Sequence, residues 1–125
     1  AADNALIIPV VASATYDFIM TLYITGVDTT ADFKAGAWTV PASTTMLWGR
    51  SINGAATGAS PSEALVQTDT DASGSVNGTW IVRYNGIIFV STTAGNVVFN
   101  WSQNTQTNND LKVLKGSNIV FRRMA

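Results

Sequence analysis

The feature that most constrains this chain is the grouping of its apolar residues. They fall in short runs of β-branched and aromatic side chains, each closed by Gly, Asn, Asp, Ser or Thr. Runs of this kind form strands, and their polar punctuation forms turns. Nowhere do apolar residues recur at three-four spacing over a dozen positions with a capping signal, so no helix is predicted. About eight strands with turns at fairly regular spacing imply an all-β, jelly-roll-like antiparallel β-sandwich.

The first apolar run covers residues 5–11 and contains Pro9. Proline cannot donate to a ladder, so residues 1–13 read as an edge strand or an N-terminal arm. Residues 14–125 then form a single β-sandwich domain. Leu6, Ile7, Ile8, Val10 and Val11 are too apolar to stay in water, so they are expected to pack on a neighbouring subunit or to form an edge strand. In residues 16–25, Tyr16, Phe18, Met20, Leu22 and Ile24 point one way. Ile19 and Tyr23 share the other face with Asp17, Thr21 and Thr25, and a half-apolar second face suggests an interface. Further along, the composition predicts a turn over 26–31, strands over 32–40 and 44–48, and a long loop over 49–62. A strand over 63–68 and a polar turn over 69–77 follow.

Residues 78–90 are the longest β run. Asn85-Gly86 within it is a strong hairpin signal by itself. The competing reading, a continuous strand with Gly86 at a bulge or a close backbone approach, is preferred. After a turn over 92–96, Val97, Phe99 and Trp101 alternate with Val98, Asn100 and Ser102. A polar turn over 105–110 and strands over 111–114 and 118–124, joined at Gly116, complete the chain.

Composition narrows the function classes. Charged residues make up only 12% of the chain, against about 25% in ordinary domains. A surface built from Thr, Ser, Asn and Gly suits lateral packing against other subunits. Net charge is −1 and there is no basic stripe, so nucleic-acid binding has no electrostatic footprint. The longest apolar stretch, residues 6–12, is too short to span a bilayer, and no basic segment precedes it. No membrane association is therefore expected. Cysteine is absent, which fits assembly in a reducing cytoplasm. The chain begins at Ala1 without Met, which is read as removal of an initiator residue or cleavage of a precursor.

Catalysis finds little to work with. Histidine is absent, and the carboxylates are seven Asp and Glu63. Asp28, Asp69, Asp71 and Asp110 lie in predicted turns, where carboxylates cap backbone N–H groups. Asp69, Asp71 and Ser73 are spaced like part of a calcium loop but lack its later Glu, and an ordinary turn is preferred. Neither a catalytic residue, a cofactor nor a metal is assigned, and the chain is read as no enzyme. Trp38, Trp48, Trp80 and Trp101 suit a core or a subunit interface better than a sugar-stacking surface. Phe99, Trp101 and Gln103 share one strand face. They are the candidate trimer interface, with Gln103 able to meet its copies around a three-fold axis.

The C-terminal half carries a resemblance. Gly78-Thr79 opens a strand with Gly86 at its middle. Thr93-Ala94-Gly95 follows, then a strand ending Trp101-Ser102-Gln103-Asn104, a Thr/Asn-rich turn, Lys115-Gly116-Ser117, and the closing Arg122-Arg123-Met124-Ala125. Tyr16-Asp17-Phe18, residues 29–34, Val40-Pro41-Ala42 and Trp48-Gly49 extend the similarity toward the N-terminus. This order resembles the C-terminal domain carried by many tailed-bacteriophage structural proteins. The resemblance implies a homotrimer with a fold similar to tumour-necrosis-factor domains, located on the virion. The implied role is a capsid decoration or head-fibre protein bound to the major capsid protein or another virion protein. The alternative it leaves open is a tail-associated receptor-binding tip that grips a host glycan. In that family the domain often ends a longer fibre, whereas here it fills nearly the whole chain, which favours a small decoration protein or a cleaved tip.

Overall fold

The computed structural model describes residues 2–53, 64–103 and 111–125. Among them are seven strands: β1 (Ala2–Val10), β2 (Thr15–Gly36), β3 (Thr45–Asn53), β4 (Thr70–Phe89), β5 (Gly95–Ser102), β6 (Leu111–Val113) and β7 (Asn118–Arg123). All pairings are antiparallel, and the strands form two packed sheets, the β-sandwich expected of the sequence.

The architecture follows from two very long strands. β2 and β4 pair along almost their whole length, from Thr15↔Phe89 to Gly36↔Thr70. The start of β2 carries β7 and then β6 on its other side, while the end of β4 carries β3. This makes one sheet in the order β3, β4, β2 and β7 with β6. The far end of the ribbon joins the second sheet, where Lys34 and Ala35 of β2 pair with Ser102 and Trp101 of β5, and β5 pairs with β1. One ribbon therefore serves both sheets and must fold over between them. The corner lies at the register shift between Val27 and Asp32, where β2 runs longer than its partner. Bulges are the usual device by which a strand turns from one sheet into another.

The fold-over also shows in side chains. Arg50 of β3 is paired in register with Tyr84, yet it makes an ion pair with Asp71 at 3.2 Å. In a straight strand Asp71 and Tyr84 would be roughly 40 Å apart at about 3.3 Å per residue. Bending brings both to the same arginine.

Several sequence expectations are revised. The Gly/Asp/Thr-rich segment 26–31 is no reversal but the corner of β2, and the polar segment 69–77 is mostly the first part of β4. Such residues bend a strand as readily as they end it, and pairing between two equally polar segments keeps both extended. The strand expected over 63–68 is reduced, within the described residues, to a bridge between Leu65 and Trp48. The loop expected over 49–62 begins as strand β3, and the rest of it lies outside the described residues, as does the turn over 105–110.

The preference for a continuous strand through Gly86 holds. β4 passes straight through it, with Phe18 paired on one side and Trp48 on the other. A Cβ at this position would meet the Leu47 carbonyl oxygen at 2.5 Å and the Phe18 ring at 2.8 Å. Asn85-Gly86 is thus a close approach of three strands, not a hairpin.

The core lies between the sheets. It takes Tyr16, Phe18, Met20, Leu22 and Ile24 from β2, Val82, Tyr84 and Ile88 from β4, Met46 and Trp48 from β3, and Val97 and Phe99 from β5. β1 adds Leu6, Ile8 and Val10, all buried. Of the two readings of the N-terminus, the edge strand is the one observed, and its apolar face packs in its own chain. Ile7 is half-buried and Val11 exposed. Pro9 sits in this edge strand opposite Asn96, where a missing N–H is tolerated.

Candidate subunit interface

Among the described residues, Asp69 and Asp71 are engaged structurally. Asp69 accepts a hydrogen bond from the Val66 N–H at 2.8 Å, as a turn carboxylate does. Asp71 pairs with the nearly buried Arg50. The Tyr84 phenol lies beside this pair. Burial first, and the Asp71 carboxylate second, push its pKa far above the usual tyrosine range, so it stays neutral. Among the described residues no three His, Cys, Asp or Glu side chains come together to hold a metal ion.

The tryptophans pack inward. Trp38 and Trp48 are buried edge to face with ring centroids 5.9 Å apart, and Trp38 also meets Phe18 and Phe99. Trp48 Nε1 donates to the Val66 carbonyl at 2.8 Å. Trp80 and Trp101 are partly buried against the same core.

This arrangement removes Phe99 from the predicted trimer interface of Phe99, Trp101 and Gln103. Phe99 is fully buried between the sheets of its own chain, 5.1 Å from the Trp38 ring. Trp101 stacks on the buried Phe33 at 5.9 Å, and Gln103 is half-buried. The three share one strand face, but alternation alone does not say which way that face points. It points into the sandwich at Phe99, which therefore cannot touch another subunit.

A different surface is apolar and open. β2 turns Asp17, Ile19, Thr21 and Tyr23 away from the core, and the register sets Ile87, Asn85, Arg83 and Ile81 of β4 beside them. From β7, Arg122 and Val120 lie next to Asp17 and Ile19, and from β3, Leu47 and Thr45 lie next to Ile87 and Phe89. Val120, Ile19, Ile87, Leu47 and Phe89 thus form a diagonal apolar stripe across all four strands. Val120 is 66% exposed, Ile19 50%, Leu47 44% and Phe89 42%. Nine large apolar side chains are exposed among the described residues, and five of them (Ile19, Leu47, Ile81, Phe89 and Val120) are on this one face. The face carries one anion and two cations: Arg122 donates to Asp17 across the strands at 2.8 Å, and Arg83 is hydrogen-bonded to the neutral Thr21 hydroxyl at 3.2 Å.

The β3 edge of the same sheet is partly closed among the described residues. Trp48 and Leu65 exchange backbone hydrogen bonds at 2.8 Å, and the Met46 N–H donates to the Gln67 side-chain oxygen at 3.0 Å. A short bridge and a side-chain amide thus occupy part of the free edge of β3, which blunts it against strand addition. The face is the more open surface for a partner.

Fold and surface together define a small antiparallel β-sandwich with one open apolar sheet face. No family model, curated protein or solved structure matches the chain.

Proposed function

We propose that this chain is a virion structural protein that acts by binding. In this reading it is a homotrimer that attaches to a phage capsid as a decoration or head-fibre protein and holds the shell together. The observation that supports it best is the open stripe of Val120, Ile19, Ile87, Leu47 and Phe89 on a sandwich whose core is already filled. Exposed apolar surface of this kind marks interaction sites. The order of motifs from Gly78 to the C-terminus, similar to that of tailed-phage structural domains, gives the binding a setting. A tail-tip role with glycan stacking has less support, because none of the four tryptophans is openly exposed.

Cryo-electron microscopy of purified particles tests the proposal. Three-fold density of this sandwich in many copies over the shell is the expected result, and a few copies confined to the tail would replace decoration with the tip reading. Absence of the chain from purified particles would overturn the virion assignment.

A further inference from the structure

We propose that the outer face of the β3–β4–β2–β7 sheet is where copies of this chain meet, with a second copy seated on the stripe that runs from Val120 through Ile19 and Ile87 to Leu47 and Phe89. The inference rests on the homotrimeric reading above and specifies the surface that makes it.

Three observations favour a second copy as the occupant. The first is area. Four large side chains about half exposed, with the more buried Ile87 between them, together present on the order of 400 Å² of apolar surface, within the range of functional patches on single chains. A standard interface takes about 800 Å² from each partner, of which roughly 55–65% is apolar. The stripe therefore supplies most of the apolar share of one such interface.

The second is charge. Asp17 and Arg122 neutralise each other beside the stripe at 2.8 Å. A copy of the face carries both signs, so either charge can find an opposite one across the contact. The chain's net charge of −1 adds little repulsion between copies. A strongly basic partner would find no complementary field here, and a strongly acidic one would find only the single excess cation, Arg83.

The third is rigidity. The stripe lies on four paired strands rather than on loops, so little order has to be gained on docking. Beneath it, Phe18, Met20, Ile88 and Trp48 fill the core, and the sheet cannot fold inward to hide its outer residues.

Sedimentation of the full chain with Ile19→Glu and Val120→Glu combined tests the inference. Both side chains are at least half exposed, so the fold tolerates the change at only the small cost of two like charges paired across β2 and β7. The dissociation constant of the oligomer is expected to rise at least a hundredfold, with the circular dichroism spectrum of the wild type retained. Val66→Glu, at an exposed apolar position off this face, is expected to leave assembly unchanged.

The chain has no cysteine, so Val120→Cys supplies a unique thiol and a reading that does not depend on the glutamates folding. A short bis-maleimide is expected to link Val120→Cys chains into covalent dimers far faster than Val66→Cys chains. Equal, slow linking at both positions, or an oligomer that survives the double glutamate change, overturns this surface but leaves self-association standing. A wild type that sediments as a monomer overturns self-association itself, and this surface with it.

Discussion

At the scale of single residues, packing decides more than chemistry does. Gly86 has no room for a methyl group, because the nearest atoms are the Leu47 carbonyl and the Phe18 ring. Gly86→Ala is expected to cost about 2–3 kcal/mol of stability through overpacking, read as a fall in melting temperature. Gly49 sits one strand over with nothing within 4 Å of a built Cβ, so Gly49→Ala is expected to be neutral or slightly stabilising. Equal losses in the two variants would show that the close approach at Gly86 does not constrain the fold. Tyr84 makes a second residue-scale prediction. Its folded-state pKa is raised, so its contribution is fully present below the unfolded value of about 10 and is lost as pH rises above it. Stability should fall on the alkaline side, and Tyr84→Phe should flatten that fall. Denaturant titrations from pH 8 to pH 11 measure both, and an unchanged alkaline slope in Tyr84→Phe would assign the loss to other groups.

The scale of elements is where the sequence was both most and least legible. Alternation in residues 16–25 located the buried face of β2 correctly, and it also showed Ile19 and Tyr23 on the opposite face. The alternation of Val97, Phe99 and Trp101 was equally clear, yet its direction was not, because period-two patterning gives two faces without saying which meets the core. The stripe could not be assembled from sequence at all. Leu47, Ile87 and Val120 are far apart in the chain, and only the registers of β3, β4 and β7 bring them to Ile19. The corner at 26–31 is a polar, Gly-containing segment, and composition does not separate a bend from a reversal when a partner strand runs alongside. The N-terminal strand carries the clearest element-scale prediction. Leu6, Ile8 and Val10 are 1%, 0% and 4% exposed. Removing three such side chains at roughly 2–4 kcal/mol each takes away an amount comparable to a domain's whole stability of about 5–15 kcal/mol. Deletion of residues 1–11 should therefore abolish the β signal in circular dichroism. A folded truncated chain would mean that β1 is an accessory to a sandwich that stands without it.

For the whole molecule, the shared ribbon is the governing fact. The two sheets are not separate layers pressed together, since β2 and β4 run through both. Neither sheet can lose its strands while the other keeps them, so the sandwich should unfold as one cooperative unit. Far-ultraviolet circular dichroism reports the ladders, and tryptophan fluorescence reports the Trp38–Trp48 packing between the sheets. The two denaturation curves are expected to coincide. The Arg50–Asp71 pair offers a way to strain that coupling, because it joins β3 to the far end of the folded-over ribbon while both side chains are largely shielded from water. Arg50→Met leaves Asp71 as a carboxylate without its cation and should cost about 3–5 kcal/mol. Replacing both residues with apolar ones of similar volume should recover much of that loss, since the pair has to offset its own desolvation. If the ribbon alone is enough to couple the sheets, the curves of Arg50→Met still coincide, only at lower denaturant. If they separate, with fluorescence changing before the ladders melt, the ion pair and not the shared strands is what makes the two sheets one unit.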